Sequence, residues 1–253
     1  MALRSNNPVL RDKTFQNLAA TGERMTVNGT IARAALLLAL VLITGGWTWQ
    51  HFRAIAADQS VNDAIAATMP FLWGGLIAGL VLALATSFKP RWSPLTAPLY
   101  ALAEGTALGG ISAIFELRYP GIVLQAVLAS VGVLAVMLLL YRSGIIKVTD
   151  KFRMGVVAAT GGIVLLYLVE WGLSAFTHFS IPFINGGGAL GIGFSVLVVC
   201  LAALNFVLDF DLVERGTAQG APRYMEWYCA FALLVTLVWL YMELLRLLSK
   251  TRR

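Results

Sequence analysis

Asp209 and Asp211, in LNFVLDFDLVERG, are the side chains whose chemistry fits their surroundings least well. Asp209 lies at the end of the apolar run GGALGIGFSVLVVCLAALNFVLDF, with Asp211 just behind it, and the run has the length of about 20 apolar residues that a bilayer crossing requires. A carboxylate at membrane depth costs roughly 2.5–3.5 kcal/mol on insertion scales and is kept where it faces a bundle interior or a wet cavity. Stepping back from Asp209 along one helical face reaches Asn205, Ala202 and Ser195, a small or polar stripe. The final apolar run, YMEWYCAFALLVTLVWLYMELLRLL, carries a matching stripe of Cys229, Ala232, Thr236 and Glu243. Asp211 lies about 200° round the helix from Asp209, so Asp209 is expected to face inward and Asp211 to sit at the rim. A plainer account is that small residues line any contact between spans and that Asp209 snorkels to the surface.

Two further acids fall inside apolar runs: Glu104 in LYALAEGTALGG and Glu170 in LYLVEWGLSAF. A glutamate at mid-membrane is protonated or paired, because taking its charge out of water is costly. Glu104 is therefore expected to have a functional or network role. For Glu170 the neighbouring Trp171 equally suggests an interface position. Glu116 and Arg118 flank a span end and read as a solvated pair.

The elements that must hold these acids are membrane helices. Of the 253 residues 58% are hydrophobic and 13% charged, against about 25% charged in soluble domains. Seven spans follow from the apolar runs, at roughly 31–50, 67–88, 94–116, 120–141, 154–177, 187–210 and 224–248. The sixth and seventh are joined by DLVERGTAQGAPR. Residues 1–30 form a polar arm, 31–250 the membrane domain and 251–253 a basic tail. The arm has no apolar core before a small-residue cleavage site, so it is not read as a removable signal.

With the N-terminus inside, the inner segments hold thirteen Lys and Arg and the outer side six, which favours that orientation. The basic tail is the discordant part. The net charge of +6 sits at span ends, so it signals topology rather than nucleic-acid binding. Cys200 and Cys229 lie inside apolar runs and are expected to be small core residues. His51 and His178 are too few for a histidine metal site. Gly75 and Gly79, and Gly105 and Gly109, have the spacing that lets helices approach closely. The cluster NGGGALGIG formally contains GxGxxG but opens a membrane span, without the strand that a dinucleotide site requires. It is expected to act as a flexible lead-in and packing face.

Several stretches together resemble the Bax inhibitor family of transmembrane BAX-inhibitor-motif proteins, in its bacterial branch. They are SNNPVL at 5–10, MTVNGT at 25–30, AEGTALGGIS at 103–112, LDFDLVERG at 208–216 and EWYCAFALLVTLVWLYMELLRLL at 226–248. The resemblance implies an all-α polytopic membrane protein with seven transmembrane helices, six arranged around a central C-terminal helix. It also implies a pH-sensitive calcium leak, with cytoprotective or protease-modulating roles. In such proteins aspartates of the sixth and seventh helices pair and gate the pore by protonation. The first carries over to Asp209. The second falls on Thr236, a departure from the pattern, and Glu243 is the nearest acid on that stripe. Calcium prefers several oxygen ligands, and Asp209, Asn205, Ser195 and Thr236 offer them. That set suits a permeant ion better than a resident cofactor, and no cofactor is expected.

Three kinds of function fit these features: a calcium or cation leak, a proton-coupled solute carrier, and a non-conducting regulator that binds a membrane partner such as a quality-control protease. A carrier should show broken helices in matching halves, and only the glycine cluster hints at one. The polar arm would be the regulator's natural contact. A hydrolase built on Ser195 lacks a histidine within a span to activate it, so the chain is not expected to be an enzyme.

Overall fold

In the computed structural model, which describes residues 23–177, 181, 184 and 186–252, the chain forms seven long helices. They are α1 (Val27–Asp58), α2 (Val61–Phe88), α3 (Ser93–Arg118), α4 (Ile122–Arg142), α5 (Asp150–Thr177), α6 (Ala189–Ala218) and α7 (Met225–Thr251). The protein is an all-α polytopic membrane protein. All but α3 are long and apolar enough to cross a membrane. With 26 residues α3 has the length, but its sequence is diluted by small and polar side chains. Many of these are buried against protein, including Thr96, Ala101, Gly105, Gly109 and Ser112. A helix whose faces meet other helices does not need the apolar surface that lipid demands.

Local chemistry sets the ends, and several lie outside the expected spans. Thr26 caps α1 by accepting from the Gly29 N–H at 2.9 Å, so the helix starts inside the expected polar arm. Ser60 and Asp63 cap α2 reciprocally: the Ser60 hydroxyl accepts from the Asp63 N–H and donates to its carboxylate at 2.6 Å. Pro90 opens a single 3₁₀ turn ahead of α3. Gly144 (φ 73°) and Gly220 (φ 66°) take the left-handed conformation just past the ends of α4 and α6. The run DLVERGTA, expected in a loop, instead extends α6 to Ala218. Leu212 and Val213 hold it there by packing with Met25, Met225 and Tyr228.

The helices fall into two compact units. The first takes the chain up to Ile114 and returns with Leu212–Leu234; the second holds Phe115–Asp211 and Val235–Arg253. In the first unit the glycine pairs act as their spacing predicts. A Cβ on Gly109 would meet the Gly45 carbonyl of α1, one on Gly75 the Thr106 side chain and Ala103 carbonyl of α3. Small residues thus bring α1 and α2 to contact α3. Tyr100 packs edge-on against Phe231 at 5.0 Å, while His51 stacks on Trp47. In the second unit Val156, Ile163, Val198 and Leu201 form the core, with Trp239 and Leu208 against it. Along α7 no residue from 225 to 250 is exposed, which explains how one helix tolerates Glu226, Glu243 and Lys250.

Two expectations about side chains need correction. Cys200 is exposed rather than in the core, whereas Cys229 is buried. Glu116 does not pair with Arg118. It accepts from the Gly121 and Val123 N–H groups at 2.6 and 3.2 Å and so caps α4, while Arg118 lies over the Tyr119 ring. Residues 1–22, including SNNPVL, and also His178 and Arg253, lie outside the described residues.

Candidate functional site in the α6–α7 seam

The site is built from the facing stripes of α6 and α7 in the second unit. Asp209 is partly buried on α6 and accepts a 2.6 Å hydrogen bond from the Thr236 hydroxyl of α7. Fourteen residues earlier on α6, Ser195 is fully buried, and its hydroxyl lies 2.8 Å from the Lys250 ammonium, fourteen residues further along α7. Two contacts with the same offset fix an antiparallel register. Residues seven apart recur on almost the same face of a helix. Ser195, Ala202 and Asp209 therefore line one seam, and Thr236, Glu243 and Lys250 the other. The seam runs about 21 Å between its two contacts, at 1.5 Å per residue.

Glu243 sits between these ends and is 2% exposed. Its carboxylate accepts from the Tyr167 hydroxyl at 3.0 Å and pairs with Arg246 at 3.1 Å. The guanidinium also bonds the Tyr167 oxygen at 2.5 Å and lies over that ring. Glu243 is thus satisfied by α5 and by its own helix, at a distance along α7 from Asp209. Among the described residues no group of three or more His, Cys, Asp or Glu is placed to hold a metal.

The remaining acids and amides divide clearly. Asn205 turns from the stripe and donates to Thr160 on α5 and to the Leu201 carbonyl, both at 2.9 Å. Asp211, expected at the rim, pairs with Arg153 at 3.0 Å, and both side chains are about 15% exposed or less. Glu170 is partly buried beside the well-exposed Trp171. In the first unit Glu104 is partly buried, with its Oε2 against Gly79.

Two polar sites were missed by reading the sequence. Lys250, grouped with the topology cations, is 4% exposed. Its ammonium donates to the Ile184 and Gly191 carbonyls at 2.5 and 3.0 Å as well as contacting Ser195. The signal was available, since Lys250 continues the seven-residue spacing of Thr236 and Glu243. The Gly191 position also explains part of the glycine cluster, because a Cβ there would collide with the Gly186 carbonyl. The second missed site lies in the first unit. Glu226, 2% exposed, accepts from the Thr26 N–H at 2.8 Å and hydroxyl at 3.0 Å and forms an ion pair with Arg33. Arg33 also lies over the Trp227 ring. A side chain at Gly29 would collide with the Glu226 carboxylate, so MTVNGT is the socket for this acid.

Ser195 does have an amine beside it, which the sequence did not reveal, and its hydroxyl is fully buried. The seam instead offers oxygen atoms and carboxylates, the groups that pass protons and hard cations. No curated protein and no solved structure matches the chain. A family model described as Bax inhibitor 1 like matches residues 7–253, and the chain therefore belongs to the Bax inhibitor 1-like family.

Proposed function

We propose that this membrane protein is a pH-influenced calcium or cation leak, non-enzymatic, in a bacterial inner membrane, with its N-terminus cytoplasmic. The observation that carries the reading is the Asp209–Thr236 contact, which sets a carboxylate into the apolar α6–α7 seam with a neutral hydroxyl as its partner. A carboxylate removed from water needs a countercharge or a proton. A cation passing Asp209 supplies the first, and acid supplies the second. Protonation then removes the attraction, so conduction varies with pH. The asymmetric distribution of Lys and Arg supports the orientation.

Calcium influx into liposomes holding the purified protein, measured across pH for wild type and Asp209→Asn, tests this. A pH-dependent influx that is altered in the variant supports the leak. Influx no greater than in empty liposomes at every pH would sink it and leave the partner-binding regulator as the surviving reading.

A further inference from the structure

The far end of the seam holds a charge that the leak does not explain. Lys250 is nearly the last residue of α7, yet its ammonium is buried under the start of α6. Ile184 O, Gly191 O and Ser195 Oγ accept from it at 2.5, 3.0 and 2.8 Å. All three oxygens are neutral. They come from the connection before α6 and from the first two turns of the helix itself. Taking an ammonium out of water costs several kcal/mol, and an ordinary helix end does not demand it. What these oxygens do in place of water is replace a hydration shell, as the oxygens of a monovalent cation site do.

We infer that this cage is a monovalent-cation site filled by the chain's own lysine, a tethered plug that closes the Ser195 end of the seam. Three observations support it. First, these three oxygens are chemically those of a cation site: two carbonyls and a hydroxyl, with spacings that suit a bare ammonium or a potassium ion of similar size. Second, the local backbone is shaped for it. Gly191 lets the Gly186 carbonyl close over the α6 start, and Ile184, whose carbonyl is one of the three oxygens, is itself 1% exposed. Third, Lys250 lies in register with Asp209. The shared fourteen-residue offset puts cage and carboxylate at the two ends of one seam, with Glu243 between. Lysine suits the role because its compact point charge rides on a flexible stem and can leave the cage without unwinding α7.

The site itself does not depend on conduction; its role as a plug rests on the leak reading. Two measurements on the full chain separate them. Thermal unfolding of purified Lys250→Ala is compared in potassium, in ammonium and in choline, which is too large for the cage. The expected result is a Tm several degrees below wild type in choline that rises in potassium or ammonium, while wild type moves equally little in all three. Adding Ser195→Ala to Lys250→Ala should abolish the rise. Lys250→Ser, which leaves the space and adds a hydroxyl, is the second variant should Lys250→Ala not fold.

Indifference of both variants to the cation overturns the site. So does failure of both to fold in potassium, because a free ion then does not replace the tethered one. Potassium efflux from liposomes tests the plug. Lys250→Ala should leak several-fold faster than wild type. A variant that shows the cation-dependent Tm without faster efflux overturns the plug and leaves the site standing. If wild type and variant are both silent in every flux assay, the leak reading falls and the Tm result still decides the site.

Discussion

Asp209 and Thr236 meet at 2.6 Å across two antiparallel helices, and the hydroxyl is the donor. The position on α7 that faces the sixth-helix aspartate is thus held by a side chain that can donate but cannot itself carry the charge. Removing that donor should be costly. Thr236→Val keeps the shape and takes away the hydroxyl, leaving a partly buried carboxylate short of a bond. A loss of about 1–3 kcal/mol is expected. Asp209→Asn should lose less, because the amide oxygen still accepts. Unfolding of the detergent-solubilised protein gives both values, and equal losses would contradict the assigned bond.

Thr236→Asp tests the geometry in the opposite sense. At hydrogen-bond separation two carboxylates share a proton and titrate as a pair. The variant should therefore show a two-step pH dependence in carboxyl infrared absorption where wild type shows one step at this site. A single unchanged step would place the two side chains further apart than the structure has them.

The Arg33–Glu226 pair should be the most expensive contact to break in the first unit. Glu226 is 2% exposed and accepts two bonds from Thr26 as well as the Arg33 charge. Arg33→Met leaves it only the half-exposed Arg223 guanidinium at 4.0 Å, so the cost should approach the about 3–5 kcal/mol of a broken buried pair. Arg33→Met combined with Glu226→Leu should recover part of the loss, because the poorly balanced buried charge is gone. A double variant less stable than the single one would show that Glu226 matters through Thr26 rather than through Arg33.

Adjacent glycines on α2 should respond with opposite signs. A Cβ on Gly75 would press on the Ala103 carbonyl and the Thr106 hydroxyl of α3, whereas one on Gly74 meets nothing within 4 Å. Gly74→Ala should stabilise by about 0.5–1 kcal/mol through backbone entropy. Gly75→Ala should destabilise by about 1–3 kcal/mol through overpacking. Paired unfolding measurements settle it, and matching signs would mean that α2 and α3 are not in contact at Gly75.

Much of this arrangement was legible in the sequence, for physical reasons that particular residues make plain. Long apolar runs fix helices in a membrane, and small residues four apart announce close approach, as at Gly105 and Gly109. The seven-residue repetition that put Asp209 and Thr236 on facing stripes also held Lys250, but its place in a basic tail suggested a topology signal. Periodicity gives a direction and leaves burial open. Asn205 shows the same limit: it shares the stripe spacing, yet Thr160 on a third helix draws its side chain away. The helix ends at Val27 and Ala218 were hidden because polar caps and a charged last turn do not look apolar. Arg33 and Glu226 are nearly two hundred residues apart, and nothing local to either names the other.

Glu104 gives the last prediction because its surroundings differ from those of the other acids. Asp211, Glu226 and Glu243 each have a cation, and Asp209 has a hydroxyl. Glu104 lies against Gly79, with Tyr100 one turn earlier near the same glycine. Among the described residues it makes no hydrogen bond or ion pair. Glu104→Gln keeps the shape, replaces a carboxyl that has no cation beside it among the described residues, and should leave stability unchanged or raise it by up to about 1 kcal/mol. The contrast with Glu243→Gln is the check. There the change removes the carboxylate from Arg246 and Tyr167, and a loss of about 1–3 kcal/mol is expected. If Glu104→Gln proves as destabilising as Glu243→Gln, the fold relies on that carboxylate, and Glu104 belongs to a buried network after all. If it is neutral in stability yet changes cation flux, its role is functional and separate from the seam.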